Sequence, residues 1–115
     1  MIKNITSKLF LVLLAGFLSF QSQAQGMKER EADKNYENLA YFKAAEMYAE
    51  LAEKSDATEK QIRRAAECYR FIGNSVESEK WYRKLTANTG VKAEDYYYFA
   101  QMLELNQKYM CFRDF

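Results

Sequence analysis

Histidine and proline are absent from this 115-residue chain, glycine occurs only four times and cysteine twice. Without histidine the chain lacks the side chain that most often acts as general acid or base near neutral pH. Zinc binding is excluded with it, since two cysteines and no histidine cannot supply the clustered ligands that a zinc site needs. The missing proline and scarce glycine remove the usual helix breakers. An excess of either charge is lacking too, with 17 Lys and Arg against 16 Asp and Glu. Two of those cations, Lys3 and Lys8, lie in an apolar leader, so fifteen cations face sixteen anions in the remainder. Long-range attraction to nucleic acid or to an anionic membrane therefore has no support from net charge, and no cofactor is expected.

What the chain does have is apolar surface and aromatic rings. Apolar residues make up 49% of it, with nine Tyr and eight Phe. That profile predicts helices packed through large side chains. The first residues stand apart: Lys3 and Lys8 precede an apolar run from Leu9 to Phe20, and Ser22-Gln23-Ala24 is a small-x-small cleavage site. The order predicts a secretory signal over residues 1–24 and a mature chain beginning at Gln25. The run is shorter than the roughly 20 apolar residues that span a bilayer, so membrane contact is expected only through an uncleaved leader. No cysteine follows the run, which disfavours a lipid anchor. Of the two cysteines, Cys68 falls on a buried helical stripe with no candidate base beside it, and no structural disulfide is expected.

Beyond the leader the sequence repeats. Ala32, Ala66 and Ala100 are spaced by 34, and the same step carries Tyr48 to Tyr82, Leu51 to Leu85, Ile62 to Tyr96 and Tyr69 to Leu103. Within a period, apolar residues recur at helical spacing in two segments with a polar or glycine-containing break between them. Ile62, Ala65, Ala66 and Tyr69 form one stripe, Gly73-Asn74 breaks it, and Trp81, Tyr82 and Leu85 form the next. Asp56 and Glu59 predict a capping box for a helix beginning near Ala57, and Asn88-Thr89-Gly90 is expected to end the helix that follows Gly73-Asn74. The next helix is expected over 92–106, with its partner beginning near Tyr109. Residues 110–115 fit no part of the pattern and predict an irregular tail, as from an interrupted reading frame. On this reading Tyr96 and Phe99 point into the core, whereas Tyr97 and Tyr98 point elsewhere.

Ile62-x₂-Ala65-Ala66-x₂-Tyr69 followed by Ser78-x₃-Tyr82, then Tyr96-x₂-Phe99-Ala100-x₂-Leu103, resembles the tetratricopeptide-repeat pattern W-x₂-L-G-x₂-Y…A-x₃-F. The resemblance implies an all-α stack of helix-turn-helix units (an α-solenoid), about two and a half repeats over residues 25–109. It also implies a concave groove, lined by the first helix of each unit, that receives a protein or peptide. On that basis Glu29, Asp33, Tyr36 and Glu37 would come from the first unit. Arg63, Glu67, Arg70 and Phe71 would come from the second, and Tyr97, Gln101 and Glu104 from the third. The variant that clamps a C-terminal carboxylate is not expected, because Glu67 stands where an Asn is needed. Lys60-Gln-Ile-Arg-Arg64 is the one basic cluster, and its charges divide between two faces around Ile62.

The leader ending in Ala-Gln, the Lys/Glu-rich helix after it and the run Ala-Asp-Lys-Asn-Tyr at 32–36 resemble the N-terminus of OmpA-like cell-envelope proteins of Bacteroidota. That likeness implies a periplasmic or outer-membrane-associated interaction module, and with no histidine and no activated nucleophile an enzyme is not expected. A glycan- or peptidoglycan-associated binding protein and, more remotely, a small exported enzyme are the alternatives.

Overall fold

With no proline to interrupt it, the chain folds into helices. The computed structural model describes the backbone of residues 2–88 and 91–113, and their side chains except those at 2, 3, 15–23 and 112. Among these residues lie five α-helices: α1 (Ile2–Glu37), α2 (Tyr41–Ala52), α3 (Glu59–Phe71), α4 (Ser75–Thr86) and α5 (Ala93–Arg113). Each packs chiefly on its neighbour in sequence, so the fold is all-helical and grows by stacking.

The 34-residue step is visible in the backbone. Helices α2 and α4 begin at 41 and 75 and end at 52 and 86, while α3 and α5 begin at 59 and 93. The turns repeat bond for bond. After α1, the amide of Ala40 donates to the Asn35 carbonyl and that of Leu39 to Tyr36; after α3, Asn74 donates to Tyr69 and Gly73 to Arg70. These are the paired bonds of a Schellman turn, which needs one residue in the left-handed region. Gly73 supplies it at φ 79°, and Leu39 occupies the same place at φ 60°. Glycine takes that conformation freely; leucine does so against contact between its Cβ and the backbone.

Small residues let the helix axes approach. Ala32, Ala44, Ala45, Ala65 and Ala66 are fully buried where successive helices cross, and Tyr48, Leu51, Ile62, Trp81, Tyr82 and Leu85 fill the space around them. Each large side chain so buried contributes about 1.5–3 kcal/mol. Ser78 replaces an alanine at the second crossing, and its hydroxyl donates to the Ala66 carbonyl at 2.9 Å, so the buried polar atom is satisfied. Cys68 is buried in the same core, and Cys111 is exposed on the last turns of α5.

Three expectations are corrected. Helix α3 is capped by Thr58, not Asp56: the Thr58 hydroxyl accepts from the Gln61 amide at 3.2 Å, and the Gln61 side chain accepts from the Thr58 amide at 3.0 Å. The reciprocal pair satisfies two orphan donors. Next, α5 does not stop at Asn106, but passes through Tyr109 and Met110 to Arg113 with nothing to break it. Finally, Tyr96 is 52% exposed and Ala100 is exposed, because α5 buries the neighbouring stripe against α4. That stripe holds Asp95 and Met102, with Tyr98 and Phe99 packed beside them. Thr89, Gly90 and the last two residues lie outside the described residues.

Helix α1 runs without a break from Ile2, in the predicted leader, to Glu37. Every described side chain from Asn4 to Leu14 is exposed, whereas burial begins further along with Ala32. No helix of the described residues is long and apolar enough to cross a membrane. One 34-residue step back from the start of α3 at Glu59 falls on residue 25, the first residue after the predicted cleavage site.

Candidate functional site

The first helices of successive units, α1, α3 and α5, lie side by side, and their long polar side chains bridge the gaps. Between α1 and α3, Lys60 donates to Asp33 at 2.8 Å and to Glu29 at 3.3 Å, and Gln61 donates to Glu29 at 3.1 Å. Asp33 also accepts from the Tyr48 hydroxyl of α2. A turn further on, the Tyr36 hydroxyl donates to Glu67 at 3.1 Å, while the Arg64 guanidinium lies 3.7 Å over the Tyr36 ring and donates to Glu67. Between α3 and α5, Arg63 grips both carboxylate oxygens of Asp95 and also reaches Glu59 at 2.6 Å. The basic cluster at 60–64 is thus consumed by bridges, with its three cations divided among five carboxylates.

At the far end of the same face the chemistry changes. Tyr36, Tyr41 and Phe71 form a run of rings, with centroids 5.4 Å apart from Tyr36 to Tyr41 and 4.6 Å from Tyr41 to Phe71. Arg70 continues it, 4.6 Å from the Phe71 ring and 3.7 Å over Tyr98. Tyr98 in turn meets Tyr97 edge-on at 5.4 Å, and the Tyr97 hydroxyl accepts from Gln101 at 2.9 Å. Phe71 remains 43% exposed and Tyr97 61%. Cation–aromatic stacking of this kind holds a guanidinium in place without neutralising it.

The eleven projected residues therefore separate into two groups with two outliers. Glu29, Asp33, Tyr36, Arg63 and Glu67 are tied into inter-helix bridges. Arg70, Phe71, Tyr97 and Gln101 come together in the stacked run. Glu37 is exposed at the end of α1, and Glu104 pairs, among the described residues, with exposed Lys108 at 2.8 Å on its own helix. Sequence reasoning missed Lys60, Arg64, Asp95 and Tyr98 as parts of this face. The signal was available for one pair, since Arg64 and Tyr98 are one repeat step apart and both stack in the aromatic run. A separate groove of about 600 Å³, lined by Phe42, Glu46, Tyr69 and Val76 among others, contains none of the eleven.

Proton affinities on this face move away from neutrality. Burial pushes the Asp33 carboxyl up, but the Lys60 ammonium and the Tyr48 hydroxyl outweigh it and hold the group below the usual carboxylate range. Asp95 behaves alike: burial opposes ionisation, and Arg63 with the Lys92 amide reverses the balance. Burial, reinforced by the Glu67 carboxylate, raises the Tyr36 phenol to about 12. Burial lifts the Cys68 thiol to about 12 as well. Such groups stay in one protonation state at pH 7, which suits holding a surface in shape.

No protein-family model, no curated protein and no solved structure matches this chain.

Proposed function

We propose that the chain is an exported tetratricopeptide-type repeat module that binds another protein through the face shared by α1, α3 and α5. The observation that carries this reading is the 34-residue recurrence of helix ends and turn hydrogen bonds, which supports a repeat in which α1, α3 and α5 present one surface. Part of that surface is spent on bridges, and the remainder offers Arg70 with exposed Phe71 and Tyr97. Arginine and tyrosine are the residues that dominate protein–protein binding energy. The absence of histidine and the shifts away from neutrality support a binding role over an enzymatic one.

The leader supports export. Its apolar side chains up to Leu14 lie outside the packed core, and the repeat register begins at residue 25, where cleavage is expected. A periplasmic or outer-membrane-associated place, as the N-terminal part of an OmpA-like envelope protein, follows from the resemblance of the leader and of residues 32–36.

A photo-reactive amino acid placed at Tyr97, with Glu53 as the control position, tests the reading in cells that export the chain. Discrete protein adducts at Tyr97 and none at Glu53 are expected. Co-sedimentation with peptidoglycan sacculi, without protein adducts, would instead establish the envelope-glycan alternative. Mass spectrometry of the same material should show Gln25 as the first residue.

A further inference from the structure

Arg70 differs from the other arginines of this face in what it lacks. Arg63 is held by Asp95 and Glu59, and Arg64 by Glu67. Arg70 meets no carboxylate within ion-pair distance among the described residues; its Nε donates to the Tyr82 hydroxyl at 3.3 Å, and its plane is held by the rings of Tyr98 and Phe71. The nearest acid in sequence, Glu67, one turn earlier, is already occupied by Tyr36 and Arg64. A guanidinium fixed in this way keeps the donors of its terminal nitrogens for an incoming acceptor, and a planar fork matches a carboxylate with two parallel bonds. Beside it stand exposed Phe71 and Tyr97, which give apolar contact to whatever flanks that carboxylate.

Resting on the interaction-module reading, we propose that Arg70, Phe71 and Tyr97 form a docking point for an acidic side chain flanked by apolar residues in a partner protein. The partner's Asp or Glu meets the Arg70 fork, and its neighbouring apolar side chain lies against Phe71 or Tyr97. Charge complementarity chooses this occupant: an unneutralised cation on a face where the neighbouring cations Lys60, Arg63 and Arg64 are each paired favours an anion, and the rings favour an apolar neighbour. The site reads a side-chain carboxylate and does not need a chain terminus.

The test uses the purified chain, in the form that export leaves it, and short peptides capped at both ends. In one peptide glutamates alternate with phenylalanine and leucine; its twin carries glutamines instead. Binding is followed by the NMR signal of the Arg70 Nε–H and by the ring signals of Phe71 and Tyr97. The acidic peptide should bind about tenfold more tightly than its twin and shift all three sets of signals. R70Q should abolish the preference between the peptides, and R70K should keep part of it, because lysine retains the charge without the fork. Y97S, at an exposed ring, should weaken both peptides while leaving the melting temperature unchanged.

Equal binding of the two peptides, a preference that survives R70Q, or binding that appears only with an uncapped C-terminal carboxylate would each overturn the proposal. So would signal shifts confined to the exposed Tyr96 and Ala100 side of α5, or no binding at all. Those outcomes leave the module reading to be judged by its own cross-linking result.

Discussion

Arg63 and Asp95 face one another across the gap between α3 and α5, with Nε–Oδ1 at 3.0 Å and Nη2–Oδ2 at 2.8 Å. Their side chains are 16% and 5% exposed, so neither is well solvated. A carboxylate left there alone would lack both water and its partner. R63A or D95A should each cost roughly 1.5–3 kcal/mol of stability. The double variant should cost less than the two together. Urea unfolding of the four proteins gives the coupling directly, and simple additivity would show that the pair contributes nothing as a pair.

The same carboxylate makes the fold acid-sensitive. Asp95 and Asp33 both have folded-state affinities for protons below that of a free carboxyl, which is about 3.9. A group depressed in this way contributes its full stability above the unfolded value, and loses it as pH falls through the folded one. The melting temperature should therefore hold steady from neutrality down to about pH 4 and drop below it. D95N should start lower and fall less steeply over the acid range. An unchanged acid slope in D95N would place the sensitivity elsewhere.

Leu39 and Gly73 occupy equivalent turns with the same left-handed backbone. Leu39 is 70% exposed and buries little. Replacing it with glycine relieves a strain of roughly 1–2 kcal/mol and returns roughly half of that as unfolded-state entropy. L39G should stabilise the protein by about 0.5–1 kcal/mol. A Cβ at Gly73 would meet nothing within 4 Å, so G73A should destabilise through the backbone alone, by about 1 kcal/mol. Thermal melts of the two single variants would show opposite signs.

Ala66 and Ala100 share a position in the repeat and differ in surroundings. Ala66 is fully buried at a helix crossing and Ala100 is exposed. A66L should cost about 1–3 kcal/mol by forcing α3 and α4 apart. A100L should change stability by no more than about 0.5 kcal/mol. Comparable losses at both sites, read from chemical denaturation, would show that α5 is covered in solution.

The alternation of these alanines is also why the fold could be read from the sequence. Ala32 and Ala66 sit at a fixed spacing among large apolar residues, and the period they set reappears in the ends of α2 and α4. Which residue caps α3 was less legible, because Asp56 and Thr58 each have a suitable residue three positions on; Gln61 settles it by bonding back to Thr58. Tyr96 was misplaced for a different reason. Its spacing matches Ile62, but a position becomes core only when another helix covers it, and Ile62 is buried whereas Tyr96 is not. Sequence spacing grouped Arg63 with Glu67 on one helix without revealing their partners. Periodicity says which way a side chain points, and not what stands opposite.

Neighbour-on-neighbour packing also governs how quickly the chain can find its structure. Most packing joins neighbouring helices, since α1 meets α2, α2 meets α3, and so on to α5, and the longer bridges between α1 and α3 or α3 and α5 span only about one repeat. Little loop entropy is lost before a contact is gained, and chains with such local topology fold in about microseconds to milliseconds. The two Schellman turns can close independently, so assembly has no obligatory starting point and can proceed from whichever hairpin is first free to form.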